Sequence, residues 1–435
     1  MATVMRRRLP GRFGIGVLLS LLAGAGPALA QATLAETNHV AATFRLTGEF
    51  GLWVEVTTDS VGVRWLTDEA APGFLHVLSD GKVLLETSTP RDSAHRTVFP
   101  RPRARRIEIR YGTDGGSDER HETLLDLGAP SRPRTSWPAP DSIFVISDVH
   151  GELERMTTVL KNGDLIDDNL RWTGGRKQLV VLGDVFDRGP DALAAVWYLY
   201  DLERQAEAAG GRVHYVLGNH EIMVMAGDLR YLSAKDTLLA RRHGVGFPEL
   251  VHPDRSVLGR WLVSKPALLK VGDLLFVHGG VTTDYLGWKL DQVEDSLTTW
   301  TAEDLFTRWN DTTYAVPLDS AGFARRLAFF WLPRSPFWYR GYAQSDSLAA
   351  SLDSVLRHFK VKTMVVGHTP GETVRERYEG RLIAVNTLPF GAEMLLLVRG
   401  REGWERWRIA GSGPPKPVPR DQPPGTKESA AANRD

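Results

Sequence analysis

The chain has 435 residues, with 53 basic and 53 acidic side chains and no cysteine. That length allows two or three domains, and a formal charge of zero leaves no basic footprint for nucleic acid. Without cysteine there can be no thiolate metal ligand and no cysteine nucleophile, so a bound metal would fall to His, Asp, Glu, Asn or water.

The first thirty residues read as a signal peptide. Arg6, Arg7, Arg8 and Arg12 make a basic start, and the apolar run GIGVLLSLLAGA follows. That run is shorter than the roughly 20 residues needed to span a bilayer. PALA then ends on Ala28 and Ala30 in small-x-small spacing. Cleavage is expected after Ala30, giving a periplasmic or secreted protein with no stable membrane insertion. The cut removes four arginines and no acids, so the mature chain is mildly acidic.

Residues 31–128 read as a small all-β sandwich. GLWVEVTT, SVGVRWLT, FLHVLSD, KVLLETST and RRIEIRYG are short, rich in Val, Ile and Trp, and separated by turn residues. The stretch TGEFGLWVEVTTDSVGVRWLT loosely resembles a fibronectin-type-III module. Its expected role is stabilising or docking, with binding to envelope material as the alternative. Residues 129–141, APSRPRTSWPAPD, read as a linker.

Beyond the linker the pattern becomes α/β. IFVIS, QLVVL, RVHYVL, LLFV and TMVVG are buried-strand runs, and EMLLLV and REGWERWRIA look like further strands. Amphipathic helical segments such as DALAAVWYLYDLERQAEAA and DSLAASLDSVLRHF lie among them. Residues 142–410 are expected to form this domain, and the Pro-rich residues 411–435 a disordered tail.

Five of these strands end in chemistry-bearing residues. IFVISDVHG carries Asp148 and His150, and VVLGDVFDRG carries Asp184, Asp187 and Arg188. YVLGNHE carries Asn219, His220 and Glu221, LLFVHGG carries His278, and MVVGHTP carries His368. Alone, an Asp after a strand is ordinarily a cap or turn residue, and a lone strand-end His is ordinarily a satisfied polar group. Together they differ, because open α/β sheets collect ligands beyond the carboxyl ends of their strands. The first three segments recur about 35 residues apart, the length of one strand–helix unit. Asp, His and Asn without Cys suit divalent ions such as Mn, Fe or Zn. A pair of ions needs a bridging carboxylate, for which Asp184 is the natural candidate, and such a pair clamps an in-line phosphoryl displacement.

The ordered set DVHG, GDVFDRG, GNHE and HGG resembles the calcineurin-like metallophosphoesterases, more closely their phosphoprotein phosphatase branch. FWYRGY and VVGHTP are similar to the Shewanella-like phosphatases within it. The resemblance implies a layered β-sandwich core flanked by helices, two transition-metal ions with Mn favoured, and attack on a phosphate monoester by a metal-bridging hydroxide. By resemblance, Asp148 and His150 would hold the first metal, Asp184 would bridge, and Asn219, His278 and His368 would complete the second. Arg188, Asn219 and Arg340 would contact phosphate, a bidentate task that suits guanidinium. His220 would protonate the leaving group, oriented by Asp187. The substrate would be a phosphorylated protein or small phosphoester, with a nucleotide, diadenosine polyphosphate or phosphodiester as the alternative. Ser147 and Phe186 depart from the branch pattern, standing where GDVHG and VDRG have Gly and Val, and Asn386 stands where relatives often carry Asp. Residues 230–260 and 284–339 are Trp-rich, helical in pattern and expected to cover the site.

Overall fold

The computed structural model describes residues 51–113, 120–300, 320–387 and 392–420. The expected signal peptide, its cleavage point at Ala30, the start of the β module and residues 421–435 lie outside the described residues. Among the described residues no helix is long and apolar enough to cross a membrane.

The first region is all-β, as expected, but it is one antiparallel sheet and not two facing ones. Its strands are β1 (Trp53–Val56), β2 (Ser60–Ser79), β3 (Lys82–Pro100), β4 (Arg106–Thr113) and β5 (Arg120–Asp126). They lie in the order β1-β2-β4-β5, with β3 along the other side of β2. SVGVRWLT and FLHVLSD turn out to be the two halves of β2. The turn residues between them are absorbed as register shifts after Leu66, Pro72 and Val77 against β3. Such bulges add twist, and the long hairpin curls into a half-barrel over Val61, Val63, Trp65, Leu75, Val77, Ile107 and Ile109, all fully buried.

The rest of the chain supplies β6 (Ser136–Trp137), β7 (Ser142–Ile146), β8 (Gln178–Val181), β9 (Arg212–Tyr215), β10 (Leu268–Val271), β11 (Leu274–Val277), β12 (Thr363–Val366), β13 (Arg375–Arg377), β14 (Leu382–Ala384), β15 (Glu393–Arg399), β16 (Trp404–Ala410) and β17 (Lys416–Pro417). One mixed sheet runs β17-β16-β15-β7-β8-β9 and the other β13-β14-β12-β11-β10-β6. β7, β8 and β9 are mutually parallel, as are β11, β12 and β14. The apolar runs face each other across one core. Ile143, Val145, Val180 and Leu395 from the first sheet pack with Leu269, Phe276, Val365 and Ile383 from the second. Helices Ala192–Ala208 and Ala349–Phe359 are where the amphipathic segments place them, and the helical pattern of residues 230–260 becomes three short helices, Ala234–Arg242, Phe247–Leu250 and Val257–Leu262.

Two segments expected to lack structure are built in. The linker contributes β6, parallel to β10, because Trp137 is gripped between the Arg134 and Arg212 guanidiniums at 3.7 and 3.9 Å from its ring. The start of the tail contributes β17 against β16, because Val418 drops a buried side chain into the core and the Pro419 carbonyl accepts from the Glu376 N–H.

The half-barrel docks on the core through core side chains that satisfy its backbone. Trp197 donates to the Leu52 carbonyl at 2.8 Å and Arg260 to the Val56 carbonyl at 3.0 Å. The Tyr200 hydroxyl accepts from the Asp126 N–H at 3.0 Å.

Candidate metal centre

β7, β8, β9, β11 and β12 all release their chain at the same rim. Turning there forces unusual backbone. Asp148, His150, Asp184, Asp187, Arg188 and His368 all have φ between +47° and +70°, a region that costs a non-glycine residue on the order of 1–3 kcal/mol. Gly183, at φ +72°, answers a further demand: a Cβ there would collide with the Gly218 backbone. The turns after β8 and β9 therefore stack main chain on main chain, which brings Asp184 against Asn219 and His220.

One oxygen organises the cluster. Asp184 Oδ2 lies 3.1 Å from His278 Nε2, 3.9 Å from His150 Nε2 and 4.0 Å from His220 Nε2. His278 Nε2 is also 3.0 Å from Asn219 Oδ1 and 3.1 Å from His368 Nδ1. Asp148 Oδ1 sits 3.9 Å from His150 Nε2. The six residues expected to bind metal are thus brought together, all buried. Two groups of potential ligands result, His150–Asp184–His220 and Asp184–His278–His368, and they share Asp184.

The remaining atoms of these side chains are committed elsewhere. The Nδ1 atoms of His150 and His278 pair with the backbone carbonyls of Phe186 at 3.1 Å and Leu182 at 2.6 Å. That partnership orients each ring with Nε2 turned toward the cluster, the usual arrangement of a ligating histidine. Asp184 Oδ1 accepts from the His220 N–H at 2.9 Å. His368 Nε2 is buried without a hydrogen-bond partner. The donor set therefore fits a pair of divalent cations. Burial pulls the His150 pKa down to about 4, and burial with the neighbouring His278 pulls His368 down to about 2, so both are neutral imidazoles. Asp148 is pushed up to about 6, chiefly by burial. Burial also works against charge on His278, yet Asp184 and Asp148 outweigh it and raise His278 to about 9. A cation entering here would compete with that proton.

A second pair lies beside the cluster. His220 Nδ1 is 2.6 Å from Asp187 Oδ2, and His220 Nε2 is 3.3 Å from Arg188 Nη2. Burial opposes the imidazolium, but Asp184 and the Asp187 hydrogen bond raise its pKa above the ordinary value. Arg188 is exposed. The half-buried Arg340 has its pKa lowered by burial and by Arg188, against the pull of Asp148 and Asp184. Two cationic forks thus flank the anionic centre. Asn386, after β14, is buried with its Oδ1 unpartnered.

Sequence reasoning gave no role to Glu221, although it stands within GNHE. Its fully buried carboxylate accepts from the N–H groups of Asp184 and Val185, both at 2.8 Å, from Gly218 at 2.7 Å and from the Tyr215 hydroxyl at 2.9 Å. It holds both turns in place. A Glu three residues after the Gly that opens a helix was the available signal. Tyr231 and Trp338 also escaped notice. Their rings stand 5.5 Å from His220 and 5.9 Å from His368, so residues from both helical insertions reach the rim.

Comparison with known proteins agrees with this geometry. Residues 142–372 match the calcineurin-like phosphoesterase family model. The chain is 28% identical over 283 residues to Shewanella-like protein phosphatase 2 of Arabidopsis thaliana, covering 54% of this chain and 68% of that protein. Over 140 residues it is 31% identical to the symmetrical bis(5'-nucleosyl)-tetraphosphatase of a Janthinobacterium species, covering 32% of this chain and 43% of that one. The crystal structure of a cold-active protein-tyrosine phosphatase from a psychrophilic Shewanella species superposes with a TM-score of 0.64 at 26% identity, covering 84% of this chain and 98% of that chain. The match takes in all of β7–β12 and every clustered ligand, and the chain belongs to the calcineurin-like phosphoesterases.

Proposed function

We propose that this protein is a dinuclear metal-dependent phosphomonoesterase acting on phosphorylated proteins or small phosphate monoesters, with manganese as the favoured metal. The observation that carries the reading is the His220–Asp187 pair, 2.6 Å apart, set beside an Asp184 oxygen shared by two ligand clusters. Asp148, His150 and Asp184 would hold one ion, and Asp184, Asn219, His278 and His368 the other. When bound, such ions supply Lewis-acid stabilisation of phosphoryl oxygens and a water activated at neutral pH.

The chain's own residues supply the rest. Arg188 and Arg340 bind the non-bridging phosphate oxygens and turn the leaving oxygen toward His220. Asp187 holds the proton of His220 Nδ1, which sets the ring's orientation and stabilises the imidazolium. His220 Nε2, 3.3 Å from Arg188, then gives its proton to the departing alkoxide. A proton donor placed this way contributes about 10² to 10⁴ in rate.

The protein is proposed to act in the periplasm or outside the cell, on the strength of the basic, apolar and small-x-small pattern over residues 1–30. N-terminal sequencing of exported protein would have to begin at Gln31. The activity itself is tested on purified mature chain by metal counting and by comparing p-nitrophenyl phosphate with its bis ester and with diadenosine tetraphosphate. Two ions per chain and preference for the monoester are expected. Preference for the diester or the dinucleotide would reject the monoesterase reading.

A further inference from the structure

Asp148 differs from the other clustered ligands in how its second atom is committed. His150 and His278 each spend theirs on one backbone carbonyl, and Asp184 spends Oδ1 on one backbone N–H. Asp148 Oδ2 instead receives two donors, the Ser147 hydroxyl and the His368 N–H at 2.9 Å. Ser147 is fully buried where β7 ends, and its hydroxyl also reaches toward the Leu182 carbonyl at 3.4 Å. Gly367 closes the other side: a Cβ there would collide with that hydroxyl. The oxygen of Ser147 therefore touches the Asp148 carboxylate on one side and faces Gly367, the residue before His368, on the other.

We propose that Ser147 is a positioning residue that divides the labour of the Asp148 carboxylate, tying Oδ2 into the protein and leaving Oδ1 as the single oxygen offered to one ion of the pair. The inference rests on the two-ion reading of this site. An untied carboxylate can rotate about its terminal torsion, which is broad, and must lose that freedom when an ion binds. Outer partners of metal ligands are typically worth 10- to 100-fold in metal affinity.

The test uses metal-stripped full-length mature protein, Ser147→Ala and Ser147→Gly, titrated with Mn²⁺ by calorimetry and melted with and without Mn²⁺. Wild type should bind two ions. Both variants should bind one ion as wild type does and the other about 10- to 100-fold more weakly. Their metal-free melting temperatures should stay close to wild type while the rise on adding Mn²⁺ shrinks. A merely structural hydroxyl would do the reverse, lowering the metal-free melt and leaving both affinities intact, and that result would overturn the proposal. Equal weakening of both ions would overturn it too. Failure of the wild type to bind Mn²⁺ would instead remove the two-ion reading, and this inference with it.

Discussion

In the half-barrel, among the described residues, only Asp80 takes a positive φ without being glycine; at the rim of the core, Asp148, His150, Asp184, Asp187, Arg188 and His368 all do. Asp80 and Gly81 form the tip of the β2–β3 hairpin, where such dihedrals come with the turn. At the rim the same conformation recurs over two sheets and is kept in place by buried hydrogen bonds, notably those of Glu221. The half-barrel spends its buried polar groups differently. His95 pairs with Thr89 at 2.7 Å and Thr67 at 3.3 Å while its ring stacks on Trp65. One region is ordered so that atoms face inward to each other, the other so that atoms are left facing a common point. That contrast locates function in the rim more sharply than burial does, since both regions are buried.

The largest break in the comparison comes from Asp184→Asn. Its Oδ2 is the atom both clusters share, so the variant should hold fewer than two ions by elemental analysis and lose activity down to background. His220→Ala should leave the ligands in place and the metal content unchanged while lowering kcat by about 10² to 10⁴. Normal turnover by that variant would remove His220 from proton transfer. Arg340→Ala should cost less. Losing hydrogen bonds from a charged donor, at about 1.5–3 kcal/mol, corresponds to roughly 10- to 100-fold in kcat/KM. An unchanged kcat/KM would return Arg340 to the surface.

The half-barrel should respond in the opposite sense. Trp197 is buried and carries the bond to the Leu52 carbonyl. Trp197→Ala should lower stability by about 3–5 kcal/mol in chemical denaturation and leave kcat at 20 °C near wild type. A large fall in kcat with unchanged stability would mean that the half-barrel reports directly to the rim.

What could be read in advance divides along the same line. The convergence of Asp148, Asp184, Asn219, His278 and His368 was legible because parallel neighbours within each of the two sheets end at one rim, and a short apolar run precedes each of these residues. The half-barrel was legible as β but not as one sheet, because Pro72 and Gly73 read as a turn where β2 absorbs them as a register shift. Trp137 and Val418 were missed because part of what orders them is remote in sequence: Arg212 on one face of the Trp137 ring, and a gap in the core between the sheets. Glu221 was in view but mute, since most of its partners are backbone N–H groups, which no residue type announces.

Glu294 gives the finest version of the contrast. Like Glu221, it is fully buried and turned on backbone, accepting from Leu268 N at 2.8 Å and Ala267 N at 3.0 Å at the start of β10. It lies away from the clustered ligands, and burial raises its pKa from 4.5 to about 8. The folded chain then keeps a proton that the unfolded chain gives up. The stabilisation is full below pH 4.5 and is lost as pH rises through about 8. The slope is up to about 1.4 kcal/mol per pH unit. His214 and His243, both pulled down to about 3 by burial, act with the opposite sign below pH 6.5. Between pH 6.5 and 8 those two no longer contribute, while Asp236, raised to about 7, and His278, raised to about 9, act with the sign of Glu294 and are common to wild type and variant. Urea unfolding in chelator across that window should show wild type losing stability relative to Glu294→Gln as pH rises, because the amide keeps its acceptor oxygen and has no proton to lose. Parallel curves for the two proteins would mean that the two N–H groups already hold Glu294 ionised, as donors to a buried carboxylate can.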